Sequence, residues 1–191
     1  MRPAFADTVM DSQRTFRAVL DALARPGTVV TLGKGLEPPP PLHRAAAAFA
    51  LAFLDLETPL WVDVTVGTEA RAWLGFHCGV PIVEPATAAR FALIADTPRM
   101  PALGVFDRGS DERPDRSATV VMQVTALRAG CGRRISGPGI TGEARLDVSG
   151  LGERFWADLS ENHRLFPRGI DLVLTAGVEL AALPRTTRVE A

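Results

Sequence analysis

The sequence predicts an α/β layered sandwich built on a mixed sheet, and three observations carry that expectation. Strand-like and helix-like segments alternate for most of the length. The helix-like segments place apolar residues at three- and four-residue spacing, whereas the strand-like ones are short and rich in β-branched residues. The final pair is strand–turn–strand, which needs an antiparallel neighbour and therefore a mixed sheet rather than a wholly parallel one.

The elements follow in chain order. Asp7 or Thr8 caps a first helix that runs to about Ala24, with Phe16, Val19, Leu20 and Leu23 forming one apolar stripe. Arg25-Pro26-Gly27 ends it, because proline cannot continue the hydrogen-bond ladder and glycine permits the turn. Residues 28–32 read as a strand. A spacer over 33–41 ends in four prolines that favour extended geometry. An alanine-rich helix follows over 42–54, then a turn over 55–59, a strand over 60–66 and a short helix over 69–76. Residues 91–95 read as a buried strand. The charged loop 107–117, which contains glycine and proline, is expected to be the most mobile stretch. Residues 119–127 give the strongest strand pattern, with Val120, Met122, Val124 and Ala126 on one face. A helix over 152–163 and strands over 171–175 and 178–183 complete one domain spanning 1–191. A chain of this size buries roughly 70% of its unfolded surface and needs no disulfide or metal staple.

Composition narrows the function classes. Hydrophobic residues make up 47% and charged residues 23%, the proportions of an ordinary globular protein. The formal net charge of −1 supplies no basic field, so no nucleic-acid partner is expected. Twenty arginines stand against one lysine, Lys34, so chemistry that needs a lysine amine must use that residue. Cys78 and Cys131 are far apart and form no Cys-x-x-Cys pattern, which signals neither a disulfide framework nor a zinc site. The first seven residues lack the apolar region of a signal peptide. The apolar run 45–54 is about half of the ~20 residues a membrane span requires. These features predict a cytoplasmic protein with no membrane partner.

The candidate sites lie in segments punctuated by glycine and proline. Ser136-Gly137-Pro138-Gly139-Ile140 fits a type II turn, and the same glycines allow a nest of backbone N–H groups that could hold an anion. No Gly-Lys-Ser/Thr follows, so it is not a P-loop. Asn162, Pro167, Arg168, Gly169 and Asp171 gather after the late helix. Asn162 and Asp171 are expected to shape local backbone. Arg168 is a candidate phosphate or carboxylate ligand, oriented by Asp171. Pro184 stops the last strand, and Arg185, Thr186 and Thr187 beside it could contact phosphate, lock onto another chain, or form a solvated end. The histidines His43, His77 and His163 show no metal-ligand spacing, and Asp55 with Glu57 fits a turn better than an acid–base pair. No catalytic residue, metal site or cofactor is expected. The rival expectation is a stand-alone enzyme acting on a nucleotide or phosphate ester through the Gly-Pro-Gly nest and the arginines.

Taken in order, these segments resemble the H subunit (PhnH) family of the carbon–phosphorus lyase core complex. The matching pieces begin with Phe16-Arg-x-Val-x-x-Ala-Leu-Ala-Arg-Pro-Gly27, Leu54-Asp-x-Glu-Thr58, Trp61 and Ala118-Thr119. They continue with Ser136-Gly-Pro-Gly-Ile140, Asn162, Phe166-Pro-x-Gly-Ile-Asp171 and Leu183-Pro-Arg-Thr-Thr187. The resemblance implies a fold related to the large domain of pyridoxal-phosphate-dependent transferases, without a working cofactor site. Lys34 lies outside every matching segment, which agrees with that loss, since an internal aldimine needs a lysine. The resemblance also implies an accessory role in phosphonate catabolism, with the G, I and J subunits and the associated L protein as partners. In that system MgATP and a phosphonate give ribose 1-phosphonate 5-triphosphate. On this reading Arg25, Ser136, Gly137, Gly139, Arg168, Arg185, Thr186 and Thr187 form an interface or phosphate-contact set. Pro26, Gly27, Pro138, Asn162, Pro167, Gly169, Asp171 and Pro184 are the structural positions. A homodimer is expected in isolation. The loop 108–117 is more charged than the family pattern leads one to expect.

Overall fold

The computed structural model describes residues 2–190. Helix α1, Thr8–Ala24, starts at the expected cap: the Asp7 carboxylate accepts from the backbone N–H of Val9 at 3.1 Å and of Met10 at 3.0 Å. The stripe read from its sequence is only partly the core face. Thr15, Val19 and Ala22 point inward, whereas Phe16 and Leu20 remain 44% and 45% exposed. The buried arc is therefore rotated by roughly one residue step from the arc that the largest side chains mark.

Strand β1, Val30–Thr31, is short because it pairs for only two residues at the edge of the main sheet. The proline spacer leads to α2, Arg44–Phe53, in which Ala45 through Ala50 are all buried. Their small side chains let the helix lie close on its neighbours. Strand β2, Leu60–Val62, stops four residues earlier than expected, because Asp63 turns the chain toward α3, Thr68–Cys78. Strand β3 is Phe91–Ile94 and β4 is Thr119–Gln123.

The 119–127 segment does not run on as one strand. It breaks at Val124–Thr125, and β5, Ala126–Ser136, leaves the sheet to pair with β6, Ala144–Ser149. This hairpin escapes a sequence reading because β5 is rich in arginine and glycine. A bulge also sets both Ala129 and Arg133 opposite Leu146, which destroys the two-residue period. Helix α4, Glu153–Arg164, then leads to β7, Asp171–Ala176, β8, Glu179–Leu183, and β9, Arg188–Val189.

Two sheets result. The first is six-stranded and mixed, in the order β1-β8-β7-β4-β3-β2, and the second is three-stranded, β6-β5-β9. Strands β2, β3, β4 and β7 are parallel, with Leu60, Phe91, Thr119 and Asp171 in one register row. Both faces of the large sheet are covered. Val62, Leu93, Val121, Val173 and Leu180 pack under α1, α2 and α3. Ile94, Val120, Met122, Leu172 and Leu174 pack against the small sheet and α4. Two-sided burial explains why these strands read as continuous apolar runs. Among the described residues no helix is long and apolar enough to cross a membrane.

Candidate functional site

The motifs punctuated by glycine and proline converge in space. Because β7 and β8 are antiparallel, Asp171 at the start of one meets Arg185 just beyond the end of the other. The Asp171 carboxylate accepts from the Arg185 backbone N–H at 2.9 Å, from Nε at 3.2 Å and from Nη2 at 2.6 Å. Arg185 Nη1 donates to the carbonyls of Pro114 at 2.8 Å and Pro167 at 3.4 Å, and Nη2 donates to Ser117 Oγ. A guanidinium has five N–H donors, and here each has an acceptor within the chain. With 14% of its side chain exposed, Arg185 is a largely covered tie among four segments.

The same contacts anchor the loop expected to be most mobile. Its Arg108 carbonyl accepts from the Gly169 N–H at 2.9 Å, and its Asp107 carbonyl from the Ala118 N–H at 2.8 Å. Asp111 pairs with Arg168 at 3.2 Å. Arg168 thus meets Asp111, and the Asp171 expected to orient it serves Arg185 instead. Asn162 takes the structural role expected of it. Its amide Nδ2 donates to the Ile170 carbonyl at 3.0 Å and its Oδ1 accepts from the Ile170 N–H at 2.8 Å, imitating a strand partner. The Phe166–Pro167 peptide is cis.

Ser136-Gly-Pro-Gly-Ile140 is the type II turn its spacing predicts. The Gly137 carbonyl accepts from the Ile140 N–H at 3.1 Å, and Gly139 has φ +82°. The turn seats against other motifs: Gly139 lies on the Ala24 carbonyl at the end of α1, and a Cβ on Gly137 would stand 2.8 Å from the Thr186 carbonyl oxygen. Gly27 packs on Ile135 in the same way. Pro26 and Gly27 are buried, while Arg25 is exposed and paired with Asp21 at 2.8 Å. The Pro184 carbonyl accepts from the Thr187 N–H at 2.8 Å, and the buried Thr187 hydroxyl has no hydrogen-bond partner among the described residues. Ser136 pairs across the ladder with Arg188. Ser136, Arg168 and Thr186 keep some access to solvent.

The carboxyl ends of parallel strands are where an open α/β sheet usually holds ligands. Here that edge is closed by the chain's own groups. Gln123 Oε1 accepts from the His43 N–H at 2.5 Å and Nε2 donates to the Pro41 carbonyl at 2.9 Å, while His43 Nδ1 lies 3.1 Å from the Thr175 carbonyl. No lysine stands there: Lys34 is exposed in the turn after β1, so this edge does not fit a pyridoxal aldimine. Beside it, the Asp63 carboxylate accepts from the N–H groups of Thr65, Ala95 and Asp96 and from the Thr65 hydroxyl. Burial opposes its ionisation, yet the hydrogen bonds from Thr65, Asp96 and Ala95 outweigh burial and hold it below the ordinary carboxylate range. Its contribution is then complete above about pH 4 and lost as pH falls through the lowered value. Asp63→Asn, which turns donors toward donors, is expected to cost about 1–3 kcal/mol at neutral pH. It should also flatten the acid limb of stability, as read from urea midpoints between pH 7 and pH 3.

Burial pushes the Cys78 thiol up to about 12, which keeps it protonated. Asp55 serves a turn, accepting from the Glu57 N–H at 2.8 Å. Among the described residues no group of three His, Cys, Asp or Glu could hold a metal ion. Sequence reasoning missed two surfaces. One is an arginine-lined cleft of about 570 Å3 between the small sheet and α4, including Arg133, Arg134 and Arg145. The other comprises exposed apolar side chains of the helix layer: Phe16 and Leu20 on α1, Leu56 in the turn after α2, and Phe76 on α3, the last two at 77% and 70% exposure. The Arg133-Arg134 pair was the available signal for the first, and the misassigned half of the α1 stripe for the second.

Known proteins give the family. A family model described as bacterial phosphonate metabolism protein (PhnH) matches residues 3–190. A protein of Rhizobium meliloti (strain 1021), named alpha-D-ribose 1-methylphosphonate 5-triphosphate synthase subunit PhnH, is 39% identical over 188 residues, covering 98% of this chain and 94% of that one. The protein HtxG of Stutzerimonas stutzeri, named for a C-P lyase subunit, is 35% identical over 178 residues, 93% of this chain and 85% of its own. Matched almost end to end, the chain belongs to the bacterial phosphonate metabolism protein family PhnH.

Proposed function

We propose that the chain is an accessory, non-catalytic subunit of the carbon–phosphorus lyase core complex, acting in the cytoplasm in phosphonate catabolism. It works with the G, I and J subunits and the associated L protein in forming ribose 1-phosphonate 5-triphosphate from MgATP and a phosphonate. The observation that carries this reading is the use of Arg185: its five donors are spent on Asp171, Pro114, Pro167 and Ser117, so the most prominent motif cation holds the fold. The exposed apolar helix layer supports partnership. Phe16 stacks on Phe53 at 5.3 Å, and Leu20, Leu56 and Phe76 are further exposed apolar side chains on α1, after α2 and on α3. Without its partners the subunit pairs with a second copy through that apolar surface. Arg25, Ser136, Gly137, Gly139, Arg168 and Thr186 shape a partner-facing or nucleotide-proximal surface, and the buried Thr187 has a supporting part in it. The chain forms one domain, and its mixed sheet with helices packed on both faces supports kinship with the large domain of pyridoxal-phosphate-dependent transferases.

Co-expression with the G, I and J subunits tests the reading. The chain is expected to copurify with them in fixed stoichiometry, and the isolated chain is expected not to turn over ATP. Failure to copurify, or ATP turnover by the isolated chain, would favour the stand-alone enzyme instead.

A further inference from the structure

We infer that the cleft between the three-stranded sheet and α4 is a docking site for an acidic, extended segment of a partner subunit. The inference rests on the proposed role as a subunit. The cleft, about 570 Å3, is walled by Arg133, Arg134 and Arg145 over Leu146, Val148 and Trp156. Its shape comes from the bulge in β5. Gly130 and Gly132 adopt φ +80° and +81°, and Gly132 lies too close to the backbone of Asp147 for any side chain. The bulge delivers Arg133 onto Trp156, with its guanidinium 4.7 Å from the ring centroid and 2.6 Å from Glu153.

The charge arrangement points to a missing partner. Arg134 and Arg145 stand directly opposite each other across the β5–β6 ladder, where like charges repel. Arg134 is compensated by Glu190 and by Glu143 at 3.3 Å. Arg145 donates only to the Gly132 carbonyl at 2.9 Å, and no carboxylate of the described residues lies within ion-pair distance of it. Its remaining donors can take a carboxylate in a fork. Asp147 and Glu190 line the same cleft. They oppose a multiply charged phosphate far more than the single charge of an Asp or Glu side chain. Strand β6 pairs only with β5, so its outer edge is open to an extended segment. An acidic residue on Arg145, carried by an extended segment along the open β6 edge, satisfies the site.

The test compares wild type with Arg145→Glu and Arg145→Ala, each co-expressed with the G, I and J subunits and washed at low and high salt. Arg145 is exposed, so thermal melting of both variants should match wild type. Retention of the partners is expected to fall at least tenfold for Arg145→Glu and less for Arg145→Ala, and wild-type retention should weaken as salt rises. Copurification of wild type and both variants alike would overturn the docking site while leaving the subunit role standing. Saturable binding of inorganic phosphate by wild type, lost in Arg145→Glu, would overturn it in favour of a phosphate site. Failure of wild type to copurify would sink the subunit role and the docking site together.

Discussion

Arg185→Met is expected to lose about 3–5 kcal/mol of folding stability, because it leaves the Asp171 carboxylate and several acceptors in a partly buried site without their donor. The pair is only 14% and 26% exposed, so solvent screens it little. The loss is a large share of the 5–15 kcal/mol that holds a typical domain together. It should read as a lower urea midpoint with an unchanged slope. Asp171→Ala should cost a similar amount, since it strands the guanidinium. The double variant should lose clearly less than the sum, and the difference measures the coupling. Arg185→Lys should rescue only part of the loss, because an ammonium cannot reproduce the planar fork that spans Asp171, Pro114 and Ser117. A phosphate-contact role predicts a different pattern: unchanged midpoints, with loss confined to the assembled complex.

Much of this architecture is legible in the sequence where the information is local. The Asp7 cap, the stop at Arg25-Pro26-Gly27 and the type II turn at Pro138-Gly139 each follow from residues within four positions of one another. The core strands β3, β4 and β7 are legible because burial on both faces makes their central residues apolar. What escapes is set by distant partners. Nothing local shows that Arg185 will close on Asp171, fourteen residues earlier, while Arg168 beside Asp171 turns to Asp111. The sequence carries one strand past Val124 because the alternation persists to Ala126, whereas the ladder bonds there pass from one sheet to the other. The Val124 N–H donates to Thr175 and the Thr125 N–H to Ser149. The glycine motifs themselves were legible as turns; that Gly139, Gly137 and Gly27 are pressed on Ala24, Thr186 and Ile135 was not.

Those close approaches yield the second large effect. Gly139→Ala faces two penalties at once. Its φ of +82° lies in the left-handed region, where a non-glycine residue costs about 1–3 kcal/mol. Its Cβ would also overlap the Ala24 carbonyl oxygen, and because the obstruction is backbone, no rotamer change relieves it. Gly142 supplies the control. It has φ +75° with nothing within 4 Å of an added Cβ, so Gly142→Ala carries the strain without the collision. Gly142→Ala is expected to lower the melting temperature by about 3–6 °C, the usual response of a chain this size to roughly 1–2 kcal/mol. Gly139→Ala should lower it by about 10 °C or more, since separating the turn from α1 also exposes the buried Pro26 and Gly27. Equal shifts in the two variants would mean that the turn does not clamp the helix. If it does, amide exchange in Gly139→Ala should quicken first over the last turn of α1 and at Ile140, ahead of β4 and β7.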